Sequence, residues 1–475
     1  MNLLNSRIDL RFRSRGVKGG SAPLALLLLS SCMVGPNYVK PALPVVPAYK
    51  EAKGWIPATP ADGVPKGAWW AMYNDPVLDA LEAKVAVNNP TLAADYDSYE
   101  EAQQVVREVQ GGLFPSLGLT GSATRSHGGA SVGGPSTSGS VEGSADWTPD
   151  IWGKIRRQVQ GDQAAAAVSA ADLANATLSA QAALASDYVD LRASDAAIGL
   201  YQQTVAADAQ SLRITQNQVN AGVDTPLDEV TAQAQLDAAE ADLTNAGEAR
   251  AQYEHAIAVL AGHAPAELSI PPGPQIKVAP VIPPGVPSQL LERRPDIAAA
   301  ERGMAEANAQ IGVAVGAFYP DISLSALGGY SGDPVTSLFK ASNALWSLGA
   351  NASQTVFDGG TRSATVQAAQ YGYDASVQTY RATVLTAFQQ VEDQLVALRV
   401  LAKQAQEEQA AVAAAGQEVQ IALNEYQAGT VAYTTVVSAQ LTLLGDQQAV
   451  LAVQQNRLLA SISLVEALGG GYRQP

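Results

Sequence analysis

Cysteine is nearly absent. Cys32 is the single one in 475 residues, so no intrachain disulfide can form and a Cys/His zinc site is excluded. Histidine is almost as scarce, with only His127, His255 and His263. A histidine-based catalytic triad has little to work with, and each histidine reads as a surface residue. No metal-ligand cluster and no phosphate-cradling Gly-Lys-Ser/Thr loop occurs, so neither a metal, a cofactor nor an enzymatic activity is expected. Basic residues are outnumbered, 29 against 45 acidic. Binding to a phosphate backbone depends on Lys and Arg displacing counterions, so nucleic acid is not an expected partner. After the first 31 residues, no apolar run approaches the roughly 18–20 residues of a membrane-spanning helix.

What is present begins with the leader. Arg11, Arg13, Arg15 and Lys18 precede the apolar run Leu24–Leu29, and small residues lead into Cys32. A basic stretch, a short apolar core and small residues before a cut describe a secretory signal. A thiol at that junction predicts lipidation of Cys32 and places the mature chain in a bacterial envelope. Removing residues 1–31 takes away five basic residues and one acidic one, leaving a net charge of −20.

The mature sequence is duplicated. Asn89-Pro90-Thr91-Leu92 answers Arg294-Pro295-Asp296-Ile297, and Leu113-Phe114-Pro115 answers Phe318-Tyr319-Pro320. Further on, Leu191-Arg192 answers Leu398-Arg399, and Ala221-Gly222 answers Ala428-Gly429. Landmarks kept in order over such a length mark a repeat architecture. The expected organisation is a signal over 1–31, an extended N-terminal segment over 32–85 and a first repeat over 86–264. A proline-rich, stiff connector follows over 265–290, then a second repeat over 291–468 and a tail over 469–475.

Each repeat reads as a helix, two strands and two very long helices. Leu184, Leu191, Ile198, Val205, Leu212 and Val219 recur every seven residues, as do Val437, Leu444, Leu451, Leu458 and Val465. Val391, Leu398, Val412, Val419 and Tyr426 hold the matching places in the second copy. A sustained heptad is a coiled-coil seam. Residues 155–220 as one helix would run about 100 Å. Gly222 and Gly429 fit sharp turns, glycine being the usual left-handed terminator, so two antiparallel helical hairpins are expected.

The strands, over about 116–125, 138–148, 321–330 and 344–357, alternate apolar and polar residues at the length a tilted strand needs to cross a bilayer. Trp147, Tyr330, Trp346 and Phe357 stand near their ends, as girdle aromatics do. Four strands cannot close a membrane barrel, whose smallest examples have about eight, and open edges are not tolerated in lipid. Spanning strands therefore require a barrel shared among chains, and three chains would supply twelve strands. Glu142 and Asp146 alternate opposite the apolar residues, which predicts a cation-favouring lumen. The rival from the residues alone is a lipid-anchored coiled-coil scaffold or adhesin whose strands stay outside lipid.

The chain resembles the outer-membrane factors of tripartite efflux pumps, the TolC and OprM group, and in particular their NodT-type lipoprotein branch. The residues that carry the likeness are Pro287–Ile297 (PSQLLERRPDI), Gly35-Pro36-Asn37-Tyr38, Asp150-Ile151-Trp152-Gly153-Lys154 and Val356-Phe357-Asp358-Gly359-Gly360. The resemblance implies a homotrimer with a twelve-stranded outer-membrane β-barrel and a twelve-helix periplasmic α-barrel. It also implies a periplasmic adaptor and an inner-membrane transporter, of the proton-driven resistance–nodulation–division type, that deliver drugs, metabolites or ions. A type I secretion channel is the nearer alternative within that architecture. Gly222 and Gly429 would mark the periplasmic mouth, where the adaptor docks. Relatives often carry gate aspartates one to two turns past the second glycine; Thr435 and Ser438 stand there instead. Asp224 and Asp228 are the remaining acidic candidates, for charge at the mouth or for capping of the next helix.

Overall fold

The computed structural model describes residues 33–41, 48–50, 67–127, 135–276, 280, 282 and 293–470, and the statements below concern these. The chain folds as two compact units. One contains the chain through Gly35, Gly112–Arg157 and Gly312–Arg362; the other contains Pro36–Gly111, Gln158–Ile311 and the chain from Ser363 onward.

The first unit holds four strands, β1 (Ser116–Ser126), β2 (Ser136–Trp147), β3 (Asp321–Gly332) and β4 (Ala344–Ser353). They pair antiparallel in the order β1-β2-β3-β4, so each repeat contributes one hairpin to a single sheet. Strand β4 stops at Ser353, short of the expected 357. The chain turns there: Gln354 Nε2 donates to the Phe318 carbonyl at 3.0 Å, and Gly359 and Gly360 follow at φ +64° and +92°.

The helices are α1 (Pro76–Asn88), α2 (Pro90–Gly111), α3 (Lys154–Asn220), α4 (Pro226–Leu260), α5 (Pro295–Gly316), α6 (Thr361–Gln427) and α7 (Tyr433–Ala467). The duplication is exact in length for the helices. Both α2 and α5 have 22 residues, α3 and α6 have 67, and α4 and α7 have 35. Helix α1 corrects the expectation of an extended segment up to residue 85. Asp75 caps it by accepting from the Val77 and Leu78 amides, and Pro76 sits at its first position, where a missing N–H costs nothing. No described helix is long and apolar enough to cross a membrane.

The motifs around residues 150 and 358 start the two longest helices by the same device. Asp150 accepts from the Ile155 and Arg156 amides and pairs with the Arg156 guanidinium at 3.1 Å. Asp358 accepts from the Gly360 and Arg362 amides and pairs with the Arg362 guanidinium at 2.6 Å.

The heptad seam packs tightly at two levels of the second unit. Leu184, Leu191, Val391, Leu458 and Val465 belong to one buried cluster, and Leu212, Val419 and Tyr426 to another. Between these levels, Ile198, Val205, Val412, Leu444 and Leu451 are only half-buried. The described part of the connector is held in place. Ile270 and Ile282 are buried in the larger cluster, and a charged network ties the backbone at residues 270–273 to the first repeat. Arg192 donates to Asp195 Oδ2 at 2.9 Å and to the Pro271 carbonyl at 2.8 Å. Arg250 donates to Asp195 Oδ1 at 2.7 Å and to the Ile270 carbonyl at 2.6 Å. Tyr188, which accepts from Arg192 Nε, donates to Asp75 at 2.8 Å, tying the cap of α1 into the same network.

Candidate functional site

Residues directly opposite in an antiparallel ladder share a face, so the register sorts the sheet into two. Leu117 and Leu119 of β1, Val141 and Ala145 of β2, Leu324, Ala326 and Tyr330 of β3, and Trp346, Leu348 and Ala350 of β4 lie on one face. On the other lie Thr120, Ser122, Ser140, Glu142, Ser144, Asp146, Ser325, Ser331, Ser347 and Asn351, with Leu327 and Leu345 as exceptions. The apolar face is uncovered within the chain: Leu117 is 83% exposed, Trp346 77% and Leu348 76%. An uncovered apolar face of this extent is not tolerated by water and marks an interaction surface. An eleven-residue strand such as β1, tilted by about 40°, rises roughly 28 Å, close to the thickness of a bilayer's hydrocarbon core.

Aromatics stand at both ends of this face. Tyr330 and Trp346 lie toward the β3–β4 loop, where Phe339 packs edge-on to Tyr330 at 5.6 Å. At the opposite end, Trp147 donates its indole N–H to the Leu113 carbonyl at 3.0 Å, and Trp152 stacks on Tyr319 at 4.9 Å. Phe357 lies beyond the strand and is 87% exposed, so it stands outside β4, whose last residue is Ser353. The sheet's outer strands β1 and β4 each have one neighbour within the chain.

Cys32 lies outside the described residues, but the chain just after it is held firmly. The Val34 amide donates to the Trp152 carbonyl at 3.0 Å. Arg157, only 2% exposed, donates to the Val34 and Gly35 carbonyls, both at 2.9 Å. Gly35, at φ +86°, rests on Gly312 so closely that a Cβ would stand 2.5 Å from its Cα. In the second unit, Tyr38 donates to Glu301 at 2.6 Å and Asn308 to the Pro36 carbonyl at 3.1 Å. Burial of Arg157 lowers its pKa; its two carbonyl contacts offset part of that desolvation.

The hairpin tips are built alike. Gly222, at φ +73°, donates to Val219, and Val223 reaches back to Gln218; Gly429, at φ +75°, donates to Tyr426, and Thr430 reaches back to Glu425. This paired closure satisfies the last helical carbonyls and requires a left-handed residue, hence glycine. A small core joins the two tips, with Tyr426 and Tyr433 at 5.3 Å and Val436, Ala232 and Ala422 around them. Asp224 does not cap α4, whose cap position is Thr225, with no side-chain bond to the helix's backbone amides. Its carboxylate instead accepts the hydroxyl proton of Tyr426, from the other hairpin, and this link together with burial raises the tyrosine's pKa. Asp228 lies in the first turn of α4 and accepts from Thr225 Oγ1 at 2.6 Å. Thr435 and Ser438 are exposed on α7 while their neighbour Val436 is buried, so the two hydroxyls share the outward face of that helix.

Several charged or polar residues of these sites were not singled out from the sequence. Arg157, Arg192 and Asp208 are all 4% exposed or less; Arg157 meets carbonyls more than 120 residues away and Arg192 one that is 79 residues away. Tyr426 was read only as an apolar seam position.

A two-faced sheet with bare edges, joined in one chain to two long helical hairpins, defines a subunit of a membrane-spanning duct. The family model described as outer membrane efflux protein matches residues 82–263 and 286–470, and the chain belongs to that family of outer-membrane efflux channels. It is 28% identical over 463 residues to the probable efflux pump outer membrane protein TtgC of Pseudomonas putida, covering 95% of each chain. To outer membrane protein OprJ of Pseudomonas aeruginosa it is 29% identical over 464 residues, covering 96% of each. To the cation efflux system protein CusC of Escherichia coli it is 26% identical over 451 residues, covering 94% of this chain and 97% of the relative. Among solved structures, the outer-membrane channel OprN superposes with a TM-score of 0.84 at 25% identity, covering 93% of this chain and 99% of that one.

Proposed function

We propose that three copies of this chain form the passive outer-membrane exit duct of a tripartite efflux system, anchored by lipid at Cys32. A periplasmic adaptor and a proton-driven inner-membrane transporter of the resistance–nodulation–division type deliver drugs, metabolites or ions into it. The observation that carries the reading is the four-stranded sheet with an uncovered apolar face and two unpaired edges. Lipid hides the face but cannot hydrogen-bond the edges, and copies of the chain supply both needs when β1 of one meets β4 of the next. Three sheets of four strands then close a twelve-stranded barrel. Its interior is the serine- and threonine-rich face, with Glu142 and Asp146 biasing the lumen toward cations.

Gating belongs to the hairpin ends. Gly222 and Gly429 form the tip turns that the adaptor engages. Thr435 and Ser438 face outward from the second hairpin, so the mouth is lined by hydroxyls in place of a carboxylate ring. Opening separates the hairpins and must break the Tyr426–Asp224 link; Asp228 stays with its own helix end. The duct performs no chemistry, and the energy comes from the transporter.

The test is reconstitution of purified protein in a planar bilayer, with its mass measured in mild detergent. A trimer whose conductance favours cations in a salt gradient is the expected result. A stable monomer without conductance overturns the reading, leaving a lipid-anchored scaffold; a conducting trimer that prefers anions overturns the lumen assignment alone.

A further inference from the structure

Where the heptad seam loosens between its two tight levels, α3, α6 and α7 line an open cavity of about 490 Å³. Two of its lining groups are anomalous. Asp208 is 2% exposed, and its Oδ2 is buried without a hydrogen-bond partner. Gln440, on α7, uses its Nε2 to donate to Ser211 at 3.1 Å, and its Oε1 is likewise buried without a partner. Two buried acceptors without partners, on side chains that line one cavity, are costly, and both lack the same thing, a donor. A second hollow of about 370 Å³ shares Leu200, Gln203 and Gln447 with the first and is otherwise largely apolar, walled by Val412, Val450 and Leu451.

We propose that this cavity is a binding site for a primary alkylammonium, its head between Asp208 Oδ2 and Gln440 Oε1 and its hydrocarbon tail running toward Leu200 and Val412. A primary ammonium carries one positive charge and three N–H donors, which matches one carboxylate and one amide oxygen. A divalent metal is a poor match, since calcium takes about six to eight oxygen ligands and no group of three candidate ligands occurs among the described residues. Burial pushes Asp208 up to about 6, so at neutral pH it is ionised and calls for a counter-charge. The head supplies that charge, and the apolar annex sets a preference for a tail over a bare amine. The assignment rests on the helical unit alone and not on the trimer, cargo or partners proposed above.

The test titrates hexylammonium chloride, methylammonium chloride and 1-hexanol into the purified full-length protein in nanodiscs, read by calorimetry. Hexylammonium is expected to bind more tightly than methylammonium. Asp208→Asn should weaken it by about tenfold or more, as for loss of a charged hydrogen bond. Gln440→Leu, on a different helix, should weaken it severalfold and serves if the first variant does not fold. Val412→Trp, which fills the annex, should abolish the preference for hexylammonium over methylammonium. Unchanged affinity in both acceptor variants overturns the site, as does 1-hexanol binding as tightly as hexylammonium. Displacement of hexylammonium by equimolar potassium or magnesium chloride assigns the pocket to an inorganic ion and equally overturns the proposal.

Discussion

Glu82 is a costly side chain in the second unit, and its replacement by a neutral isostere should stabilise the protein in a pH-dependent way. It lies on α1 at 0% exposure, and neither carboxylate oxygen has a hydrogen-bond partner. Burial, with Asp79 one turn away, pushes it from the ordinary 4.5 up to about 9. The folded state therefore keeps its proton where the unfolded state loses it. Between those values the folded chain binds more protons than the unfolded one, so stability falls as pH rises; below 4.5 and above about 9 the contribution is flat. At pH 7 the accumulated loss is about 3 kcal/mol, at 1.36 kcal/mol per pH unit. Glu82→Gln keeps the shape and cannot ionise, so its advantage over the parent should be near zero at pH 4.5 and reach about 3 kcal/mol at pH 7. For a chain of this size that is a rise of roughly 3–6 °C in Tm. The assay is thermal unfolding of both proteins in the same detergent, at a fixed scan rate, from pH 4.5 to 9. A constant difference across that range, or no difference at pH 8, would refute the claim that Glu82 is buried as a neutral acid.

Other expectations follow from the same geometry. Leu348→Arg puts a charge in the middle of the apolar sheet face and should cost about 2–4 kcal/mol of membrane insertion, read as loss of folded protein from outer-membrane fractions; Ser347→Arg, on the opposite face, should be tolerated. Arg192→Met leaves Asp195 with one cationic partner and frees the Pro271 carbonyl, so it should destabilise by about 3–5 kcal/mol; limited proteolysis should then cut near residues 268–273. Tyr426→Phe removes the hydrogen bond to Asp224 and should loosen the tips by about 1–2 kcal/mol, giving larger or more frequent openings in bilayer recordings, whereas unchanged gating would remove that link from the lock.

The long elements could be read from sequence because their periodicities run on. A heptad kept over ten turns leaves few alternatives to a long hairpin, and period-two alternation over ten residues marks a strand. Helix α1 escaped because it is short, with 13 residues and no sustained stripe, although Asp75-Pro76 was a usable start signal. The end of β4 was overshot because Val356 and Phe357 continue the apolar pattern, while the backbone there is governed by Asp358 and two left-handed glycines. For Asp224 the sequence left two readings open, charge at the mouth or a helix cap, because capping is decided locally; its actual partner, Tyr426, lies 202 residues away. Buried charge was invisible for the same reason, since Arg157 is matched by carbonyls more than 120 residues distant. Chemistry made across the duplication is what a linear reading of one copy cannot supply.

The bare plate of β1–β4 bears on how the subunit must live before it works. A solitary copy crossing the aqueous compartment carries a greasy slab with two raw margins, each a template for misplaced strand addition. Escort or prompt meeting with its siblings is thus built into the sequence as a requirement. Overproduction that outruns such meetings should yield aggregates, not stored monomers.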